Sequence, residues 1–105
     1  MQKKLYIING PNLNLLGSRE PEKYGKASIE TVKSMCQNKC SDYNLDLNFF
    51  QSNLEGELIG EIHKAINDAC GILINAGALT HTSIGILDAL SMFHGPKIEI
   101  HITNV

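Results

Sequence analysis

The chain has 105 residues, nine basic and eleven acidic side chains, 43% apolar residues and a formal net charge of -2. That is one domain's worth of chain, long enough to bury roughly 65% of its unfolded surface without staples. The charge balance argues against a nucleic-acid footprint, and no apolar run approaches the roughly 20 residues that span a bilayer.

The basic start, Met1-Gln-Lys-Lys, leads into residues 5–9 (LYIIN). This apolar run stops too soon for a secretory leader and reads as a strand buried on both faces. The loop that follows the strand's end at Asn9 to Asn12 runs from Leu13 to Gly25. It is too long for a simple strand-to-helix turn and has the length of a lid. It carries Arg19, the chain's one arginine, and Tyr24.

Residues 28–43 place Ile29, Val32, Cys36 and Cys40 at spacings of three and four behind Ser28 as N-cap, which predicts a helix. The three cysteines, Cys36, Cys40 and Cys70, form no CxxC pair and read as free packing thiols in a reducing compartment. Residues 45–50 (LDLNFF) start by alternating and predict a strand near an edge. Residues 52–69 predict a second helix, with Glu55 and Glu57 in its first turn and a stripe of Leu58, Ile62, Ala65, Ile66 and Ala69. Residues 71–75 (GILIN) predict a third buried strand. Residues 80–94 predict a third helix, with Ile84, Leu87, Leu90 and Met92 among its apolar positions. Residues 97–103 (KIEIHIT) alternate strictly and predict a fourth strand.

Strands alternating with helices imply an α/β fold, a doubly wound parallel sheet of flavodoxin-like order. Such sheets normally continue past a fourth strand. The expectation is therefore a single domain over residues 1–105 with four strands of an expected five, cut short at its C-terminus.

Ligands of such sheets bind beyond the carboxyl ends of the strands. Three predicted strands end in polar residues there: Asn9 to Asn12, then Asn75 with Thr80, His81, Thr82 and Ser83, then Glu99, His101, Thr103 and Asn104. A free tyrosine has a pKa near ~10 and is about one part in a thousand ionised at pH 7. A cation within ~4–6 Å lowers that value by roughly 1–3 units, which makes a phenolate available as a base; a surface arginine and a half-buried tyrosine are the plain alternative for Arg19 and Tyr24. Glu99 and His101, two apart on a strand, share a face. A carboxylate beside an imidazole fixes its tautomer and suits a general acid, although a buried histidine bonded to its neighbour has the same pattern. His63, His81, His94 and His101 show no metal-ligand spacing, so no metal is expected. The chain has no GxGxxG, no phosphate-loop motif and no nucleophile elbow.

The segments INGPNLNLLGSREPEKYG, FFQSNLEGEL, ILINAGALTHTS and IEIHITNV resemble the type II 3-dehydroquinate dehydratases over essentially the whole chain. The resemblance implies a flavodoxin-like fold, trimers assembled into a dodecamer, a cytoplasmic location and no cofactor. It implies a lyase that reversibly converts 3-dehydroquinate to 3-dehydroshikimate through an enolate, a step of the shikimate pathway of aromatic amino-acid biosynthesis. By motif, Tyr24 matches the base and Arg19 the residue that holds it as its anion. His101 matches the acid, Glu99 its orienting partner, and Asn12 the residue that holds a water against the enolate oxygen. Asn75, His81, Ile102 and Thr103 match substrate contacts, and Asp88 matches one donated by a neighbouring subunit. Thr103 stands where serine is also common, and Leu54 where histidine is frequent. The family's later arginine, fifth strand and closing helix have no counterpart here. Two other readings stay open from sequence: a non-catalytic oligomeric module that keeps the substrate rim, and a flavodoxin-like cofactor binder.

Overall fold

The computed structural model describes residues 3–18 and 20–101. Among them, four parallel strands form one sheet in the order β2-β1-β3-β4. They are β1 (Lys3–Asn9), β2 (Leu45–Gln51), β3 (Gly71–Asn75) and β4 (Lys97–Glu99). A short helix α1 (Pro21–Tyr24) and a long helix α2 (Ile29–Asp42) separate β1 from β2. Helix α3 (Glu55–Asp68) leads to β3, and α4 (Ile84–Ser91) leads to β4. This is the expected flavodoxin-like α/β order.

Strand β1 is central because it is apolar on both faces. Tyr6 and Ile8 enter the core with Ile72 and Ile74 of β3, Leu58, Ile62 and Ala65 of α3, and Ile86 and Ala89 of α4. Ile7 points the other way, since strand side chains alternate. With Phe49 and Leu73 it lines a cavity beneath Ile29, Val32 and Cys36 of α2. Helices α3 and α4 therefore cover one face of the sheet and α2 the other. Cys36, Cys40 and Cys70 are free thiols. Burial pushes the Cys40 thiol pKa up, which suits a packing role.

Several expected boundaries move. The helix expected from residue 52 starts at Glu55, because Ser52 is tied to the end of β1 by its N–H to the Asn9 carbonyl at 3.0 Å. The helix expected from residue 80 starts at Ile84. Residues Gly77–Leu79 form a 3-10 turn, and Ser83 caps α4 by accepting the Ile86 N–H at 3.0 Å. Strand β4 ends at Glu99, with the Ile100 N–H still bonded to the Ile74 carbonyl at 2.7 Å. Residues 102 and 103 of the expected strand lie outside the described residues.

The stripe of α4 differs too. Ile86 and Ala89 face the core, while Ile84 is 82% and Leu87 69% exposed. The helix is apolar nearly all round, so periodicity alone does not select its inner face. On α3 a carboxylate interrupts the apolar stripe. Buried Glu61 accepts from Asn48 Nδ2 at 3.2 Å and from Lys64 Nζ at 3.0 Å, which meets the hydrogen-bonding needs of a buried charge.

Candidate active site

The carboxyl end of the sheet is a rim of three interlocked turns. After β1 the chain turns at Asn9-Gly10-Pro11-Asn12. Asn9 is buried and donates through Nδ2 to the Phe50 carbonyl at 3.1 Å. The Gly10 N–H donates to the Asn75 carbonyl at 2.7 Å, and the Gly77 N–H to Asn75 Oδ1 at 3.1 Å. Asn75 thus fastens the end of β3 to the turns on both sides of it. The fit is close enough to demand glycine. A Cβ at Gly10 would collide with the Ala76 carbonyl, and one at Gly77, where φ is +59, would lie 2.9 Å from the Pro11 oxygen.

Asn12 takes a left-handed backbone, with φ 72 and ψ -4, and opens a 3-10 turn, Leu13–Leu15. Its N–H donates to Asn53 Oδ1 at 2.9 Å. Asn53 Oδ1 also accepts from Gln51 Nε2 at 3.2 Å, and the same Nε2 donates to the Gly10 carbonyl at 3.1 Å. The loop beyond is partly structured rather than open coil, with Pro21 at the first turn of α1. Tyr24 closes α1, but its side chain, like the whole of Arg19, lies outside the described residues.

At the β4 corner, His101 Nε2 lies 3.2 Å from Glu99 Oε1, as the two-residue spacing predicts. The Glu99 side chain is 56% and the His101 side chain 21% exposed, so the imidazole is the better sheltered partner. A carboxylate this close to Nε2 can orient the ring. In the sheet, Glu99 pairs with Ile74, so it lies on the face covered by α3 and α4.

Glu99 and His81 line the same cavity of about 290 Å3, together with Thr80, Thr82 and Lys97 over an apolar floor that includes Ile74 and Leu79. Asn75 and Asn9 line a second cavity of about 270 Å3 on the α2 side, walled by apolar residues such as Leu13 and Ile100. The rim thus sets Glu99 beside His101 and on one cavity with His81, while Asn75 lines the other cavity. Asp88 is exposed on the outward face of α4, four residues from Ile84. Ile102 and Thr103 lie outside the described residues.

Gln51, Ser52 and Asn53 were not among the residues singled out by sequence. Their signal was positional: they follow β2 directly and so fall on the same rim. Among the described residues no group of three or more His, Cys, Asp or Glu side chains is placed to hold a metal ion. No helix among them is long and apolar enough to cross a membrane.

Comparison with known proteins places these features. The family model described as "Dehydroquinase class II" matches residues 3–105. A protein of Cereibacter sphaeroides named 3-dehydroquinate dehydratase is 51% identical over the whole of this chain, which spans 71% of that protein. A catabolic 3-dehydroquinase 2 of Aspergillus terreus is 52% identical over 96% of this chain and 69% of its own length. The crystal structure of a type II dehydroquinase from Butyrivibrio crossotus superposes with a TM-score of 0.94 at 46% identity, covering 99% of this chain and 73% of that one.

Proposed function

Since the chain belongs to the class II dehydroquinase family, we propose that it catalyses the reversible dehydration of 3-dehydroquinate to 3-dehydroshikimate. The observation that carries this reading is the Glu99–His101 pair at 3.2 Å on the rim that also holds Asn75 and Asn12. The reaction needs a base for a carbon-bound proton beside a ketone, a group to stabilise the enolate, and an acid for the departing hydroxyl.

In this reading the Tyr24 phenolate, held as its anion by the Arg19 guanidinium, takes the proton from the carbon beside the ketone. The electron pair moves onto the ketone oxygen. Asn12 holds a water against that enolate oxygen. The enolate then collapses, the bond to the hydroxyl on the next carbon breaks, and the His101 imidazolium supplies the proton that lets it leave as water. Glu99 orients the ring towards the leaving group. Afterwards Tyr24 is protonated and His101 neutral, and proton exchange with solvent restores both. No redox change occurs and no cofactor is needed. Asn75, His81, Ile102 and Thr103 contact the carboxylate and hydroxyls of the substrate.

Asp88 belongs to the site of a neighbouring subunit. Its place on the outward face of α4, beside exposed Ile84 and Leu87, supports an assembly in which that face is covered by another copy. Trimers packed into a dodecamer, a cytoplasmic location and a role in aromatic amino-acid biosynthesis complete the proposal, as does a single domain over residues 1–105.

The test is direct. Incubation with 3-dehydroquinate should raise the ultraviolet absorbance of the conjugated enone, and Tyr24→Phe and His101→Ala should each abolish most of that rise while circular dichroism is unchanged. Saturable binding of the substrate with no enone would instead mark a binding module.

A further inference from the structure

We propose that Gln51 and Asn53, at the end of the edge strand β2, are positioning residues that hold Asn12 in its working conformation. The inference rests on the dehydratase reading above for what Asn12 does, but not for how it is held.

Three consecutive residues reach from β2 to the turn after β1. Gln51 Nε2 donates to the Gly10 carbonyl at 3.1 Å, the Ser52 N–H to the Asn9 carbonyl at 3.0 Å, and Asn53 Oδ1 accepts the Asn12 N–H at 2.9 Å. Gln51 Nε2 also reaches Asn53 Oδ1 at 3.2 Å, so the two side chains orient each other. The backbone they grip is one that side-chain-bearing residues disfavour. Asn12 has φ 72, in the left-handed region. Its neighbours confine it further, since Gly10 is locked to Asn75 and the Pro11 oxygen lies against Gly77.

Burial does not require the bond between Asn53 and Asn12. Asn53 and Asn12 are exposed, and water would satisfy their polar groups equally well. What the bonds add is direction. An Asn12 free to leave φ 72 would redirect its side chain, whereas the clamp fixes the backbone from which that side chain must reach a water on the enolate oxygen. Misplacement by about 1 Å far from the bond-breaking atoms is enough to cost turnover.

The test compares Asn53→Ala with Asn53→Asp, which keeps the acceptor oxygen. Two readouts are taken: kcat and KM for 3-dehydroquinate, and hydrogen exchange of the Asn12 amide by NMR. Asn53→Ala should lower kcat about tenfold, the scale of one lost hydrogen bond in the transition state, while KM changes less than about threefold. Exchange at Asn12 should quicken, with the Ile7 and Ile8 amides unaffected. Asn53→Asp should restore both. Because Asn53 acts through Asn12, adding Asn53→Ala to Asn12→Ala should cause no further loss of kcat. Multiplicative losses in that pair of variants, or unchanged Asn12 exchange in Asn53→Ala, would overturn the proposal. Should the parent chain convert no 3-dehydroquinate, the dehydratase reading fails, and the exchange measurement still decides whether Asn53 holds Asn12.

Discussion

Glu99 Oε1 and His101 Nε2 stand 3.2 Å apart at the β4 corner, and the imidazole is the more sheltered of the two. A carboxylate at this distance can orient the ring for proton delivery. His101→Ala should therefore lower kcat on the order of 10²–10⁴-fold, the usual contribution of a positioned acid. Glu99→Gln keeps the shape but replaces a charged acceptor with a neutral one, and should cost on the order of tenfold. Steady-state assays of enone formation check both. A Glu99→Gln loss as large as that of His101→Ala would mean that Glu99 does more than orient the ring.

Arg19 and Tyr24 form the other half of the proposed chemistry. A guanidinium beside a phenol favours the anion, so removing it should make the phenol harder to ionise. In Arg19→Ala the low-pH limb of kcat/KM should move to higher pH, and residual activity should rise as the pH is raised. Tyr24→Phe should abolish turnover at every pH. A pH profile of the two variants and the parent gives the answer.

The Tyr6 hydroxyl donates to Asp68 Oδ2 at 2.5 Å, and Lys4 Nζ donates to the same oxygen at 3.1 Å. These two bonds, the tyrosine's first, hold the Asp68 carboxyl below its usual range. Burial, and then the bond to Asp68, push Tyr6 up to about 12. The signs oppose each other. Asp68 contributes stability above the unfolded carboxylate value of about 4 and loses it as pH falls through its lowered folded value. Tyr6 contributes fully below its unfolded value near ~10 and loses that contribution as pH rises towards about 12. Tyr6→Phe should cost about 1 kcal/mol at pH 7, and less at either extreme. Urea midpoints at three pH values test this, and the absorbance difference between parent and variant isolates the tyrosine's ionisation.

Gly10 and Gly77 make the close contact between the first and third turns of the rim. Gly10→Ala forces a Cβ onto the Ala76 carbonyl, a backbone atom that cannot rotate away. A loss of about 2–3 kcal/mol is expected from such overpacking. Gly77→Ala adds a left-handed cost of about 1–2 kcal/mol to a 2.9 Å approach to the Pro11 oxygen. Thermal unfolding should show both, and substrate binding should weaken with them because Asn75 is fastened to the same turns.

Ile84 and Leu87 take no part in the core, at 82% and 69% exposed. Replacing both with aspartate should leave the subunit folded, with circular dichroism unchanged. If another copy covers that face, the assembly should fall apart in sedimentation, and activity should drop with it because Asp88 then serves no neighbour.

The alternation of buried runs with helix-period segments made the doubly wound order readable directly from sequence. LYIIN and GILIN read as inner strands because a strand covered on both faces cannot tolerate polar alternation. The two-residue step from Glu99 to His101 likewise put both on one face before any coordinates, since strand geometry is local. Tertiary packing decided the rest. Which face of α4 turns inward was settled by the fit of Ile86 and Ala89 against α3, because an all-round apolar helix carries no phase. That Ser52 belongs to a bridge and not to a helix, and that Gln51 and Asn53 reach Gly10 and Asn12, depend on β2 lying beside β1 in register. Those partners are about forty residues apart in the chain, and no periodicity extends across such a gap.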